Sequence, residues 1–296
     1  MGNNKISIKK NIKFGILGAA GYISKRHVQT IKNLGHDLVI ACDINENVGY
    51  LDGFFPNCEF VKKENIFFSR IKKMKVEYVV ICTPNYLHLK QIINSLNQGC
   101  KVICEKPLVI TKKDFNKLLT LSEDKKNKIN VILQLRLNST LSKIRKYIKN
   151  LKKPFKSNLN YVTPRGKWYE NTWKINNKLS GGIKLNIGVH LFDILTIIFK
   201  SKFKVLSFRN SSRKCSGKIL FNQITNLTFN LSINKKDLPK KNISSYRVLK
   251  INKKNFDLSK SFQNLHEKSY KNILVGNGFK VNDLKDTYNL IHKLKY

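Results

Sequence analysis

The residues best suited to chemistry lie where a short apolar run ends in Glu105-Lys106-Pro107. The run Lys101 to Cys104 has the pattern of a buried strand, and Pro107 stops it. The sequence therefore predicts a charged amine, that of Lys106, at the carboxyl edge of a sheet, which is where open α/β sheets bind ligands. A solvated turn could carry the same three residues, so the prediction depends on the neighbouring segments.

A glycine-containing turn follows the first apolar run and precedes a helix-compatible segment. The run is Lys13 to Leu17, and the turn is Gly18 to Ile23. Strand, glycine turn and helix are the context of a dinucleotide site, where backbone N–H groups at a helix N-terminus meet a pyrophosphate. The glycine spacing is imperfect, so an ordinary strand–helix turn is the alternative. The residues predicted to contact a cofactor here are Gly18, Ala20, Gly21, Tyr22 and Ile23.

Two further strand ends complete the predicted cofactor site. Asp43 ends the run Asp37 to Cys42 and lies 25 residues after Gly18, close to the spacing of the acid that binds a ribose 2′-hydroxyl. An acid there favours NAD because it repels the 2′-phosphate of NADP, although a turn-capping role is the alternative. After the buried run Glu77 to Cys82, His88 could contact the ligand or serve a local structural role. The residues added to the cofactor site are Asp43, Thr83, Pro84, Asn85, His88, Glu105 and Lys106.

The composition is strongly basic but does not indicate a specific nucleic-acid partner. The chain has 57 Lys+Arg against 18 Asp+Glu, a formal net charge of +39, yet only eight of the basic residues are Arg. The lysines are spread along the whole chain beside many Asn and Ile residues, as A/T-rich codons would produce. We expect only weak, salt-sensitive adhesion to polyanions.

The cysteines and the apolar runs indicate the cellular compartment in which we expect the protein. The six cysteines form no C-x-x-C pair, which predicts neither a disulfide framework nor a metal site and suits a cytoplasmic protein. The basic N-terminus has no apolar segment typical of a secretory signal, and no run reaches the length of a membrane span. We therefore expect no membrane partner.

The order of the apolar runs predicts two domains of different class. Strands and helices alternate up to the polar, Lys-rich segment Ser122 to Lys128, as a doubly wound parallel Rossmann sheet requires. Later runs are short and alternating, which predicts an α+β domain on an open, mostly antiparallel sheet. The fold class is thus α/β, with expected domains 1–126 and 127–296. The later predicted strands are Ser157 to Thr163, Val205 to Asn210, Lys218 to Phe221, Thr225 to Ile233 and Tyr246 to Ile251.

Several motifs in order along the chain resemble the glucose–fructose oxidoreductase/inositol dehydrogenase (Gfo/Idh/MocA) family. The resemblance extends from about Lys13 to Phe279. Its motifs are Gly18-Ala-Ala-Gly-Tyr-Ile, Cys82-Thr-Pro-Asn-Tyr-Leu-His88, Glu105-Lys106-Pro107, Leu133-Gln-Leu-Arg-Leu137, Arg165-Gly-Lys-Trp-Tyr169 and Gly181-Gly-x-x-x-Asn186-x-Gly188-x-His190.

The resemblance implies an NAD-dependent enzyme of bacterial surface-polysaccharide (O-antigen, lipopolysaccharide) sugar biosynthesis. The implied reaction oxidises the 3-hydroxyl of UDP-N-acetylglucosaminuronic acid (UDP-GlcNAcA) to a 3-keto sugar. It also implies a homo-oligomer, a dimer or tetramer, and a downstream aminotransferase as a possible partner. Some relatives of this kind regenerate NAD by reducing 2-oxoglutarate. One alternative is a family enzyme acting on another sugar or inositol. The alternative from a different class is a basic scaffold or nucleic-acid-adhering protein with an inactive site.

The implied chemistry can be assigned to individual residues. His190 is the candidate base for the hydroxyl proton, and Lys106 would hold the sugar oxygen. Asn186 stands where many family members carry Asp and would hydrogen-bond the sugar or His190. Arg165 is the candidate partner of a carboxylate or pyrophosphate. The predicted catalytic residues are Lys106, His190 and Asn186, and the substrate site adds Arg165, Lys167 and Tyr169.

One departure from the family pattern bears on the substrate. Lys184-Leu185 replaces a small and a hydroxylic residue just before Asn186. If the second position contacts substrate, Leu185 removes a hydrogen bond, which bears on the affinity for the sugar or on its identity.

Overall fold

The structure is a computed structural model that describes residues 11–200, 202–259 and 264–295. The expectation for the first ten residues therefore lies outside the described part. The chain divides into two compact units. Among the described residues, the first comprises residues 11–109, 113–133 and 266–283, and the second comprises residues 110–112, 134–200, 202–259, 264–265 and 284–295.

The first unit is built on a six-stranded parallel sheet with the order β3-β2-β1-β4-β5-β6. The strand order reverses between β1 and β4, as in a doubly wound fold, which confirms the predicted Rossmann sheet. Its elements are β1 Lys13–Leu17, α1 Ser24–Asn33, β2 Asp37–Cys42, β3 Glu59–Val61, α2 Glu64–Ile71, β4 Tyr78–Ile81, α3 His88–Asn97, β5 Lys101–Cys104, α4 Lys112–Leu119, α5 Glu123–Lys128, β6 Ile129–Val131 and α10 Leu265–Leu274.

The central strands of this sheet are apolar because both of their faces are covered. All four residues of β4 are buried, as are the last four of β1. A parallel sheet covered by helices on both sides requires such continuous apolar runs. The sequence pattern therefore located these strands to within a residue or two.

The expected domain boundary at residues 126 and 127 differs from the observed division. β6 pairs with β5 in the parallel sheet, so the first unit continues to residue 133. Residues 266–283 also belong to this unit: Tyr270 is fully buried in its core, and the N–H of Val131 donates to the carbonyl of Phe279 at 2.9 Å.

The second unit is built on a six-stranded sheet with the order β12-β11-β7-β10-β9-β8. Only the central pair, β7 and β10, is parallel, so the predicted mostly antiparallel sheet is confirmed. The elements are α6 Thr140–Lys149, β7 Phe155–Val162, α7 Asn177–Ser180, α8 Gly182–Asn186, α9 Val189–Phe199, β8 Phe203–Asn210, β9 Lys214–Phe221, β10 Thr225–Ser232, β11 Tyr246–Ile251, β12 Lys254–Asp257 and α11 Lys285–Lys293.

The core of the second unit lies on one face of its sheet. Along β10, Leu227, Phe229 and Leu231 are buried, whereas Asn226 and Thr228, on alternate positions, are exposed. Ten of the eleven residues of α9 are buried, as expected for a helix whose whole circumference is covered. The helix that carries His190 is therefore a fixed part of this core.

Candidate functional site

The turn between β1 and α1 is shaped for an anionic ligand. Gly18 has φ +85°, and a Cβ there would lie 2.6 Å from the backbone nitrogen of Thr83, so only glycine fits. Among the described residues, no acceptor engages the backbone N–H groups of Tyr22 and Ile23, which precede the ten-residue helix α1. Donors at a helix N-terminus without a protein acceptor suit the pyrophosphate of NAD.

Asp43 links this turn to the end of β2. Its Oδ2 accepts a hydrogen bond from the Ala20 N–H at 2.9 Å, and its Oδ1 accepts one from the Asn45 N–H at 2.9 Å. The turn-capping alternative is thus what the structure shows, and a contact of Asp43 with ribose stays a prediction.

His88 connects the loops that follow β4 and β5. It is fully buried, with Nε2 2.9 Å from the carbonyl oxygen of Thr83 and Nδ1 2.8 Å from that of Pro107. Burial lowers the pKa of His88. The structure favours the local structural role over a direct ligand contact, because both ring nitrogens face backbone carbonyls. Asn85 is buried as well, while Thr83 and Pro84 are partly exposed.

The side chain of Glu105 is held inside the first unit, and its contact with the cofactor stays a prediction. It is 6% exposed, and its Oε1 lies 3.0 Å from Nε2 of His27 and 3.4 Å from Nε2 of His266. Its Oε2 accepts a hydrogen bond from the Lys106 N–H at 3.2 Å. The hydroxyl of Tyr270 lies 2.7 Å from Nδ1 of His27.

Opposing effects set the pKa of Glu105. Burial alone would raise that pKa, but the hydrogen bonds from His266 and His27 hold it well below its usual range. Lys106 follows at the strand end, half-buried, with a cis peptide bond to Pro107.

In the second unit, glycines set the approach of α8 to α9, which carry Asn186 and His190. Gly181 and Gly182 have φ +82° and +70°, and a Cβ on Gly188 would lie 2.3 Å from a backbone carbonyl of α8. Asn186 and His190 are each 9% exposed.

The residue that departs from the family pattern, Leu185, faces the core. It is 1% exposed and belongs to the apolar cluster of the second unit. The side chain of Lys184, the other departing residue, is held by donation from its amine to the carbonyl of Leu294 at 3.0 Å.

Tyr169 orients Asn186. The Asn186 Nδ2 donates to the Tyr169 hydroxyl at 3.1 Å, and that hydroxyl donates to the carbonyl of Lys174 at 3.3 Å. Tyr169 is 2% exposed, and burial raises its pKa although the Asn186 hydrogen bond acts against the rise. The structure thus places Tyr169 behind Asn186, and a contact of Tyr169 with substrate stays a prediction.

Two cationic side chains, those of Arg165 and Lys174, flank Tyr169 in the chain, and the charge of Arg165 acts on Lys174. The Arg165 Nη1 donates to the Thr163 hydroxyl and to the carbonyl of Pro164, both at 3.1 Å. Burial, and secondarily the charge of Arg165, lowers the pKa of Lys174. The Lys174 amine lies 5.2 Å from the ring centroid of Trp168.

Sequence reasoning missed Lys174, whose only signal was its place five residues after Tyr169. The predicted Lys167 is exposed.

Within the described residues, no single helix is long and apolar enough to cross a membrane. The helical segments Asn177–Asn186 and Val189–Phe199 meet the length and composition criteria only as a pair, bent by 42°.

Curated relatives match part of this chain. Glucose-6-phosphate 3-dehydrogenase of Bacillus subtilis is 25% identical over 213 residues, 67% of this chain and 56% of the relative. Inositol 2-dehydrogenase of Salmonella typhimurium is 31% identical over 112 residues, 36% of this chain and 32% of the relative. The matched region thus spans little more than half the length of the first of these relatives and about a third of the second.

Solved structures match nearly the whole chain. The WlbA (WbpB) dehydrogenase of Thermus thermophilus in complex with NAD and UDP-GlcNAcA is 29% identical, with a TM-score of 0.85, and the match covers 95% of this chain and 93% of that one. The WlbA dehydrogenase of Bordetella pertussis, at 16% identity and a TM-score of 0.78 over 97% of this chain and 95% of that one, shows the shared fold.

Family comparison divides the chain in the same order as the structure. Residues 12–133 match the oxidoreductase family, NAD-binding Rossmann fold, and residues 145–216 match the C-terminal alpha/beta domain of the same family. The two matches together cover more than half of the chain. Its strand order, glycine turn and paired matches show that this chain belongs to the Gfo/Idh/MocA oxidoreductase family and that its first unit is an NAD-binding Rossmann domain.

Proposed function

We propose that this protein is an NAD-dependent nucleotide-sugar dehydrogenase that oxidises the 3-hydroxyl of UDP-N-acetylglucosaminuronic acid to the ketone. The observation that carries the proposal is the cationic pair Arg165 and Lys174. Burial and the charge of Arg165 both disfavour the charged form of Lys174, and no carboxylate of the described residues pairs with its amine. Such a pair is suited to an anionic ligand, such as a uronate or a pyrophosphate.

The relatives support the same substrate class to different degrees. The Thermus thermophilus structure contains NAD and UDP-GlcNAcA, at 29% identity to this chain. Glucose-6-phosphate 3-dehydrogenase is named for another anionic sugar oxidised at position 3, whereas inositol is uncharged. The cationic pair favours an anionic sugar over inositol.

In the proposed reaction, NAD when bound accepts the hydride from C3 of the sugar. His190 takes the proton of the 3-hydroxyl, so that the oxygen becomes a carbonyl as the hydride leaves. Lys106 donates a hydrogen bond to that oxygen and stabilises its developing negative charge. Asn186, oriented through Tyr169, hydrogen-bonds the sugar, and its amide leaves proton transfer to His190.

The test is the absorbance of the purified protein at 340 nm after addition of UDP-GlcNAcA, glucose 6-phosphate or myo-inositol. We expect a rise with UDP-GlcNAcA that is lost in Lys106→Ala and His190→Ala. Arg165→Ala should raise the KM by at least about tenfold, since a charged hydrogen bond to substrate is lost, while the exposed Arg209→Ala serves as the matched control. A rise with myo-inositol alone, or an unchanged KM in Arg165→Ala, would overturn the assignment.

We also propose the setting that this reaction implies. It would supply a 3-keto sugar to an aminotransferase in surface-polysaccharide biosynthesis, in the cytoplasm, from a homo-oligomeric enzyme. A Thermus thermophilus WlbA structure with NAD and alpha-ketoglutarate supports 2-oxoglutarate as the oxidant that regenerates NAD. After reduction by the sugar, added 2-oxoglutarate should return the 340 nm absorbance to its starting value and yield 2-hydroxyglutarate.

A further inference from the structure

A buried cluster of four polar side chains adjoins the backbone of Lys106 in the first unit. His27 comes from α1, Glu105 from the end of β5, and His266 and Tyr270 from α10. All four are at most 8% exposed. The reaction proposed above uses none of them, so their purpose needs a separate account.

The hydrogen bonds of this cluster converge on one carboxylate. Both imidazole Nε2 atoms face the Glu105 Oε1, at 3.0 and 3.4 Å, and the Tyr270 hydroxyl at the far side of His27 fixes that ring. The second carboxylate oxygen receives the Lys106 N–H. Donors on both oxygens stabilise the ionised form, although burial alone would favour the neutral acid.

Four titratable neighbours of Glu105 are neutral at pH 7. Burial raises the pKa of the thiols of Cys82 and Cys104 well above their usual value and raises that of Tyr270, so these groups are neutral at pH 7. Burial lowers the pKa of His27, which keeps its imidazole neutral there. Glu105 is therefore a carboxylate fixed in a buried, hydrogen-bonded site away from water, where its field is weakly screened.

The position of Glu105 in the sheet indicates on which part of the cofactor its charge would act. A doubly wound sheet binds a dinucleotide with one nucleotide on each half, across the carboxyl ends of its strands. The glycine turn and Asp43 belong to the half formed by β1, β2 and β3, whereas Glu105 ends β5, the middle strand of the other half. That second half is the one left for the nicotinamide nucleotide.

The oxidised nicotinamide ring carries a positive charge and the reduced ring does not. We propose that His27 and His266, with Tyr270 behind His27, hold Glu105 as a fixed carboxylate that biases the cofactor site toward the oxidised, cationic ring. His27, His266 and Tyr270 are then positioning residues that act through Glu105. The inference rests on the NAD-binding fold and does not depend on which sugar is the substrate.

The experiment measures the ratio of NAD to NADH bound. The full-length protein is equilibrated with excess NAD and NADH in equal amounts and freed of unbound nucleotide, and the bound forms are quantified after denaturation. Glu105→Gln should lower the ratio by at least about tenfold, because two unit charges within about 12 Å of each other, at an effective dielectric constant of about 20, interact with an energy that corresponds to a factor of ten or more. Glu77→Gln, which removes a carboxylate from the residue just before β4, at the amino edge of the same sheet, is the matched control and should leave the ratio unchanged.

A conservative variant separates charge from shape. Glu105→Asp keeps the carboxylate and should retain most of the wild-type ratio, so it tests the inference even if Glu105→Gln does not fold. A loss of the preference for NAD in Glu105→Asp, or an unchanged ratio of bound NAD to NADH in a folded Glu105→Gln, would overturn the inference.

Metal analysis tests the competing explanation of the cluster. The ligand atoms of His27, Glu105 and His266 lie within 4.8 Å of one another, a spacing that a metal ion could also use. We expect no stoichiometric metal in the purified protein, and about one equivalent, lost in Glu105→Gln, would show that the carboxylate serves as a ligand instead.

Discussion

Breaking the buried ion pair between Arg136 and Asp193 should destabilise the second unit strongly. Nε and Nη2 of Arg136 donate to the two carboxylate oxygens at 2.9 and 2.6 Å, and the Thr287 hydroxyl adds a hydrogen bond at 2.8 Å. The two side chains are only 10% and 2% exposed. Asp193 lies on α9, three residues after His190, so the pair also fixes the helix that carries the candidate base.

The expected magnitude follows from this burial. Arg136→Met leaves the Asp193 carboxylate buried with one neutral donor, and removing one partner of such a pair costs about 3–5 kcal/mol. At roughly 2–4 °C per kcal/mol for a domain of this size, the melting temperature should fall by about 6–20 °C. The double variant Arg136→Met/Asp193→Leu removes both charges and should recover most of the loss, because the desolvation cost disappears with them.

Urea unfolding followed by circular dichroism on the wild type, both single variants and the double variant gives the coupling free energy. The exposed pair Lys128–Asp124, at 2.8 Å, is the matched control, and Lys128→Met should change stability by less than about 1 kcal/mol. If Arg136→Met costs no more than Lys128→Met, or if the double variant is as unstable as the sum of its singles, the reasoning about burial is refuted.

Three further predictions concern the cofactor turn, acid stability and the orientation of the site. Gly18→Ala should weaken NAD binding, measured by titration, at least about tenfold, because the added Cβ would lie 2.6 Å from a backbone atom. Gly35→Ala is the control: Gly35 has φ +71° but nothing within 4 Å of an added Cβ, so this variant should bind NAD normally. Burial lowers the pKa of His292 from 6.5 to about 4. The contribution of the neutral imidazole to the free energy of unfolding is therefore complete above pH 6.5, and roughly 3 kcal/mol of it is lost as the pH falls toward 4. The urea midpoints of His292→Phe should depend less on pH than those of the wild type. Tyr169→Phe should lower kcat about tenfold with the melting temperature nearly unchanged, since Asn186 loses the acceptor that orients it; an unchanged kcat would show that this hydrogen bond is dispensable.

The sequence predicts the first unit well where one physical cause dominates. β1 and β2 have the predicted bounds because a strand covered on both faces needs a continuous apolar run, which follows Lys13 in β1 and Asp37 in β2. The segment Ser122 to Lys128 was interpreted as a polar boundary, but Glu123–Lys128 form helix α5. The Ser122 hydroxyl caps it, accepting from the Lys125 N–H at 3.5 Å, and its polar composition hides it because a short surface helix needs no apolar face.

The pairing of distant segments is what the local pattern leaves open. The predicted strands of the second unit are present, yet alternation does not reveal that β7 and β10 are parallel neighbours, since that depends on the path of about 60 intervening residues. Within the Arg165–Tyr169 motif, likewise, only the burial of each side chain distinguishes the roles of the two residues, and the sequence does not show that burial. Tyr169 lies inside the fold and orients Asn186, whereas Arg165 remains partly exposed.

Glu105 shows most clearly why a motif can locate a site without explaining it. The sequence marks Glu105-Lys106-Pro107 through the strand before it, and this places Lys106 at the correct edge of the sheet. The partners of Glu105, however, are 78 and 161 residues away, and Tyr270 is 243 residues from His27. His266 and Tyr270 join the cluster because residues 266–283 return to the first unit, a contact that costs chain entropy and leaves no periodicity in the sequence. Glu105, which the motif marks as a ligand contact, is thus also a buried charge whose partners no local pattern reveals.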